Sequence, residues 1–415
     1  MGTVGKTLLI LSGGVEAIKG IEIAKAMGLK VVVVDGNPDA PGRVLADAFI
    51  EANIYDPSAV VRMIAAYEGR EKVDGVITVA SDAVRSVAAV AEFLGLPGIS
   101  KETAFLSTEK FEMKLRFEES SIPVPGFVSI GSIDELIANV GRWPKAVLKP
   151  VDSRGARGVV RIGAEDDLQW AYAYSCGFSP SKRLILEEWI EGPQLSTESL
   201  VVDGKTYLCG VADRNYSRLP EAYPYVIEDG GETPSRFSPM IDEQLTKLLD
   251  SAANALGIES GVLKGDIVLN EAEGNAPYII EVATRLSGGF FSTITIPLVY
   301  EINIVERAIL LSLGQLPPLP ERLTPICFQA NRFLFLPPGT VANVCGPETD
   351  QLPEYVKYFE LNAAVGDVVP NIENHTMRRG SVLVNAETRG EAVTRAESII
   401  TSIEVEVEDR APLVQ

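Results

Sequence analysis

Ala146-Val147-Leu148-Lys149-Pro150-Val151-Asp152-Ser153-Arg154-Gly155-Ala156-Arg157-Gly158-Val159-Val160-Arg161-Ile162 decides how this chain is read. An apolar run ending on a lysine, a loop with two glycines and a second β-branched run predict a hairpin with a flexible tip. Such a tip suits a phosphate: the Lys149 ammonium can meet its oxygens while Gly155 and Gly158 let backbone N–H groups close over them. Lys110, on a segment that reads as one helix from Lys101 to Ser120, can supply a second cation. Downstream, Leu184–Ile190, Leu195–Val202 and Thr206–Ala212 read as antiparallel strands, and Asp242–Leu256 as a helix. Asp266–Leu269 and Tyr278–Val282 are two strands joined by the polar turn Asn270–Ala276. Asp266 opens the first, Glu281 lies near the end of the second, and Arg285 follows, a pattern for a hard-cation site beside an anion clamp. Taken singly, each lysine and carboxylate reads better as a solvated surface group.

Upstream, the first hundred residues alternate buried runs with amphipathic helices: Thr7–Leu11, Glu16–Met27, Lys30–Asp35, Gly75–Val79 and Ala83–Leu94. That rhythm predicts a parallel sheet with helices on both faces. Ser12-Gly13-Gly14 is not the spaced GxGxxG fingerprint, which argues against a nicotinamide-dependent oxidoreductase even though Asp35 stands where a ribose-binding acid would. After Pro317, Pro318 and Pro320 a third section begins, with strands at Ile326–Leu336, Tyr355–Leu361, Gly380–Val384 and Glu404–Val407 and a helix at Arg389–Ile400. At 415 residues, with 46% hydrophobic and 23% charged, the chain has the composition of a globular protein of several domains. The net charge of −20 disfavours nucleic acid and anionic membrane surfaces as partners, and no apolar run approaches the length of a membrane span, so a cytoplasmic protein is expected. Four scattered cysteines without a CxxC pair read as reduced thiols, and a single histidine, His375, excludes an HExxH zinc site.

In combination these parts resemble the ATP-grasp superfamily of carboxylate–amine ligases. The carrying segments are Thr108-Glu109-Lys110 through Ile122-Pro123-Val124-Pro125, Val147-Leu148-Lys149-Pro150 with its glycine loop, Leu186-Glu187-Glu188-Trp189-Ile190-Glu191-Gly192-Pro193, and Ile279-Ile280-Glu281-Val282-Ala283-Thr284-Arg285-Leu286-Ser287-Gly288-Gly289. Val365-Gly366-Asp367-Val368 and Arg378-Arg379-Gly380-Ser381-Val382 resemble the C-terminal domain of the L-amino-acid (dipeptide) ligase branch. The resemblance implies an ATP-grasp fold, α/β and α+β: a Rossmann-like preATP-grasp domain at 1–100, an ATP-grasp domain at 101–320 whose lid spans about 146–190, and a C-terminal α+β domain at 321–415.

The resemblance also implies site roles. Lys110 and Lys149 would meet the ATP phosphates, under a lid loop containing Ser153, Gly155, Arg157 and Gly158. Glu187 would meet the adenine amine by its side chain or nearby backbone, with Trp189 and Ile190 lining the ring; Glu198, or alternatively Gln194, would meet the ribose. Asp266 and Glu281 would bind one or two magnesium ions, manganese being an alternative, and Arg285 would stabilise the transferring phosphoryl group. Lys264, Arg285 and the Ser287-Gly288-Gly289 turn would take a substrate carboxylate, with Arg214 lining the same pocket. Some positions depart from the family pattern. Ala283 replaces a metal-contacting asparagine, Asp266 replaces a glutamate, and Glu232 holds a histidine's place, where it would contact an ammonium group or act as base for the attacking amine. The expected activity joins a small carboxylate, such as an amino acid, to an amine through an acylphosphate, releasing ADP and phosphate. The alternatives are a nucleotide-pathway ligase resembling glycinamide ribonucleotide synthetase, a biotin-carboxylase-like enzyme, or a silent ATP-binding protein. Most relatives of this kind are homodimers, which sets the same expectation here.

Overall fold

A computed structural model of the chain describes residues 2–319 and 322–408. The junction expected at Pro320 and Glu321, and the residues from Asp409 on, lie outside the described residues. The N-terminal section forms a four-stranded parallel sheet in the order Ala48–Glu51, Lys30–Asp35, Thr7–Leu11, Val73–Ile77. Its two central strands are buried along nearly their whole length, as a sheet covered on both faces requires. The short edge strand Ala48–Glu51 and the helix Pro57–Ala66 go beyond the sequence reading, although Asp56 caps that helix from the position just before Pro57.

The segment read as one helix from Lys101 to Ser120 is two helices, Lys101–Leu106 and Lys110–Glu119. The Ser107 and Thr108 hydroxyls both donate back to the Ala104 carbonyl, and Glu109 restarts the helix by accepting from the Glu112 amide at 2.7 Å. The break puts Lys110 in a first helical turn, its own amide held by the Val151 carbonyl at 2.9 Å.

One eight-stranded antiparallel sheet carries the middle of the molecule. Its order is Ala276–Ala283, Gly261–Asn270, Gln194–Val202, Lys205–Asn215, Gly230–Thr233, Phe328–Leu334, Gly380–Ala386, Val356–Leu361. The short Gly230–Thr233 strand pairs with Phe328–Leu334, so strands from both sides of the 320–321 junction share one set of backbone hydrogen bonds. A second four-stranded sheet, in the order Phe127–Ile130, Leu184–Glu188, Ala146–Pro150, Val160–Ile162, stands over it and holds the expected hairpin, with Leu148 opposite both Val160 and Leu186. Between the two sheets lies the cleft.

Candidate active site

The cleft has a volume of about 350 Å³ and is lined by eight basic residues against six acidic ones, in a chain whose net charge is −20. At one end, Lys149 rises from the Ala146–Pro150 strand and is 5% exposed; its ammonium pairs with Glu187 at 2.7 Å. Lys114, one helical turn beyond Lys110, meets the other Glu187 oxygen at 3.3 Å. Burial, reinforced by the Lys149 charge and opposed by Glu187, lowers the Lys114 pKa to about 8. Trp189 and Ile190 line the same end, where the Trp189 amide donates to the Lys145 carbonyl at 3.0 Å.

The glycine loop closes over this end. Gly155 and Gly158 adopt positive φ, and a Cβ at Gly158 would come within 2.9 Å of Pro150. Lys110 Nζ donates to the Ser153 carbonyl at 2.7 Å, and Arg157 donates to the Arg154 carbonyl at 3.0 Å. Arg154 stacks on Tyr55 at 3.7 Å and faces Asp82 at 3.8 Å, both in the N-terminal section, while the His375 amide reaches the Gly155 carbonyl at 3.4 Å. The loop therefore touches both flanking sections.

Asp266 and Glu281 are direct partners across two antiparallel strands. Lys110 faces Glu281 at 3.4 Å; Lys264 and Arg214 both hold Asp266, Arg214 at 2.9 Å. Burial alone would raise the Glu281 pKa, but Lys110, Lys264 and Lys149 outweigh it and hold the group ionised well below the usual carboxylate range. Arg285 is fixed by Asp82 at 2.9 Å. Ser287, Gly288 and Gly289 form a lining turn in which the Gly289 amide donates to Glu16 at 2.8 Å; a Cβ at Gly288 would meet that same carboxylate at 2.8 Å.

The structure thus gathers Lys110, Lys149, Ser153, Gly155, Arg157, Glu187, Trp189, Ile190, Gln194, Arg214, Lys264, Asp266, Glu281, Arg285 and the Ser287–Gly289 turn into one cleft, whereas Gly158 packs against Pro150 and Phe178 and does not line it. Two further expectations are corrected. Glu198 is fully buried and does not line the cleft: the Ser287–Ser292 segment folds over it, the Ser287 amide donating to it at 3.0 Å and the Ser292 hydroxyl at 2.5 Å. That leaves Gln194 as the ribose candidate. Glu232 cannot serve the attacking amine, because strand side chains alternate and Gly231 and Thr233 take the cleft side. It lies on the opposite face, paired with Arg332 and Arg389 at 2.7 Å each and accepting from Asn215 at 2.7 Å.

The family model for an ATP-grasp domain matches residues 107–289, the model for an ATP-grasp N-terminal domain matches residues 21–98, and that for an L-amino acid ligase C-terminal domain matches residues 332–408. The chain thus carries ATP-grasp domains over residues 21–98 and 107–289 and has the ATP-grasp fold. Among curated relatives, a formate-dependent phosphoribosylglycinamide formyltransferase of Rhodococcus jostii is 26% identical over 322 residues, 74% of this chain and 76% of that protein. Relatives of the same name from Burkholderia species match over 189 to 214 residues, so the chain spans about half the length of those proteins. The L-amino acid ligase of Bacillus licheniformis superposes with a TM-score of 0.82 at 21% identity, covering 98% of this chain and 100% of that one. A 2-oxoglutarate carboxylase biotin carboxylase domain of Hydrogenobacter thermophilus, solved with MgADP, ADP and bicarbonate, superposes at 0.71 with 17% identity, covering 97% and 91%. These superpositions establish the fold, and the family is one of ATP-dependent ligases.

For an ATP-grasp protein the acid pair suits a magnesium ion shared with the nucleotide. Among the described residues no group of three or more His, Cys, Asp or Glu forms a protein-only cage, and magnesium is commonly held by one or two carboxylates together with substrate phosphates. No described helix is long and apolar enough to cross a membrane. Several lining or supporting residues escaped the sequence reading. Lys114 was findable from its i, i+4 spacing to Lys110, and Asp82 from its place beyond the carboxyl end of a parallel strand. Glu228, Asn331, His375 and Arg378 had no such signal, coming from three separate segments.

Proposed function

We propose that this protein is an ATP-dependent ligase joining an amino acid, through its carboxylate, to the amine of a second amino acid, with release of ADP and phosphate. The observation that carries this reading is the L-amino acid ligase C-terminal domain match at residues 332–408, from which Phe333, His375 and Arg378 line the cleft. In this reading Lys110, Lys149 and the Ser153–Gly158 loop hold the ATP phosphates, and Glu187, Trp189, Ile190 and Gln194 frame the nucleoside. Asp266 and Glu281 would hold magnesium, which when bound neutralises phosphate charge. A substrate carboxylate oxygen attacks the γ-phosphorus and ADP leaves, giving an acylphosphate; the amine then attacks the acyl carbon and phosphate leaves. Arg285, held in place by Asp82, stands where charge develops on the transferring group, and the closed glycine loop keeps water from the acylphosphate. A homodimer in the cytoplasm belongs to the same reading, light scattering being the check on the dimer.

The Rhodococcus jostii match favours a second reading, in which formate is the carboxylate and a phosphoribosylglycinamide-type amine its acceptor. One experiment separates the two. Phosphate release from MgATP is followed across amino acids offered singly and in pairs, with formate plus phosphoribosylglycinamide and bicarbonate as further wells, and mass spectrometry on every active well. A product equal to two amino acids less water supports the first reading; activity only with formate or bicarbonate replaces it. Silence in every well, with MgATP still raising the melting temperature, leaves a nucleotide-binding protein without ligase activity.

A further inference from the structure

At the end of the cleft away from Glu281, charges alternate in a chain: Asp266 to Arg214 at 2.9 Å, Arg214 to Glu228 at 2.9 Å, Glu228 to Arg378 at 3.3 Å. Arg214 has two carboxylates, whereas Arg378 has only a share in one, so positive charge is left over at Arg378. Its guanidinium carbon lies over the Phe333 ring, 3.4 Å from the centroid, and its Nε is enclosed without an acceptor among the described residues. Gln329, Asn331 and Phe333 lie on one side of the Phe328–Leu334 strand and all line the cleft. Gln329 is 2% exposed, with Nε2 lacking a partner, and Asn331 Oδ1 lacks one as well. The residue opposite Asn331 in register is Gly231, whose missing side chain leaves the floor open between Asn331 and Arg214.

We propose that Arg378, assisted by Asn331 and Gln329, holds the carboxylate of the amine substrate. This rests on the ligase reading above and restricts its second substrate to amines that carry a free carboxylate. A guanidinium with a planar face fixed on an aromatic ring suits a carboxylate's two oxygens. A phosphate dianion is a poor match: its sites gather backbone N–H groups from a helix start or glycine turn, and here it would stand beside the Glu228 carboxylate. The segment carrying Arg378 also carries His375, whose amide holds the Gly155 carbonyl. Closure of the glycine loop is thereby tied to the element that seats the amine.

The test uses the full chain with MgATP and the donor amino acid identified by the matrix. Three acceptors are compared: the acceptor amino acid, its carboxamide and its decarboxylated amine. Wild type should show KM about 30-fold higher for the two acceptors lacking the carboxylate. Arg378→Gln should raise KM for the amino acid by about 30-fold while changing KM for the carboxamide less than about twofold. Asn331→Leu, which removes no charge, should repeat the pattern at about fivefold and decides the question if the arginine variant does not fold. A carboxamide used as well as the acid by wild type, equal losses for both acceptors in the variants, or a phosphoribosyl amine as the accepted partner would each overturn the proposal. If no pair turns over, the ligase reading has failed separately. The site is then read by thermal shift with MgADP: stabilisation by the acceptor-type amino acids glycine and L-alanine but not by their carboxamides, lost in Arg378→Gln, supports the anchor, and its absence overturns it.

Discussion

The two ends of the cleft are built differently. At the end proposed for the nucleotide, Lys110, Lys149, Glu187 and Glu281 each sit on one regular element inside a short motif, and their charges face one another directly. At the substrate end, Arg214, Glu228, Asn331 and Arg378 come from four segments, joined only because the Gly230–Thr233 strand zips the central sheet to the C-terminal strands. Motif chemistry is local sequence because its donors stand within a few residues of one another on single elements. The other end depends on which strands the sheet brings side by side.

The sharpest way to break this contrast is at Glu281. Glu281→Ala should cut ADP release on the order of 10³-fold while nucleotide binding persists in part; equal rates of ADP release in variant and wild type would remove Glu281 from the chemistry. Glu232 offers the opposite case, a carboxylate that belongs to neither end. Glu232→Gln takes the buried carboxylate from Arg332 and leaves Arg389 with Asp213 alone, and urea denaturation should show a loss of about 3 kcal/mol, with ADP release per folded molecule unchanged. At the nucleotide end, Lys149→Ala should raise the Kd for ATP by about 30-fold in calorimetry, because a buried cation facing the phosphates is lost while Glu187 keeps Lys114.

The substrate end carries a pH signature. Burial, together with the Arg378 charge, pushes the His375 pKa down to about 3 from an ordinary 6.5, against the pull of Glu228, and its Nε2 accepts from the Glu228 amide at 3.1 Å. Folded protein thus keeps this imidazole neutral where the unfolded chain takes up a proton. Below pH 6.5 the unfolded state binds more protons, so stability falls as pH drops toward 3, by about 2 kcal/mol between pH 7 and pH 5. His375→Gln, which keeps an acceptor for the Glu228 amide, should flatten that interval by the same amount in denaturation curves at the two pH values. The smallest expected effect links the N-terminal section to the central one: Asp82→Asn should lower kcat about tenfold with ATP affinity unchanged, since Arg285 loses the carboxylate that aims it. An equal rise in the Kd for ATP would instead place Asp82 in nucleotide binding.

How far each part could be read from sequence follows from the same contrast. The Lys149 hairpin and the Asp242–Leu256 helix were legible because each depends on local pattern: a glycine tip between β-branched runs, and apolar spacing closed by the left-handed Gly257. The break between Lys101 and Ser120 was not, because Ser107, Thr108 and Glu109 end one helix and start another through side-chain bonds that apolar periodicity does not register. Glu198 shows a subtler limit. It shares strand parity with Gln194 and Ser196 and so should face the cleft, yet the Ser287–Ser292 segment covers it. Parity is a local property; what folds over a face is not.

The sequence by itself therefore determined the fold, the cleft lysines Lys110 and Lys149 and the paired carboxylates, since these rest on strand endings, glycine freedom and residue spacing within single motifs. Only the tertiary structure decided that Glu232 turns away to meet Arg389, that Asp82 aims Arg285, and that Arg378 comes to rest on Phe333 beside Asn331. Those outcomes depend on sheet register and on which segments pack against each other, and a contact between residues far apart along the chain leaves no mark in either residue's own neighbourhood.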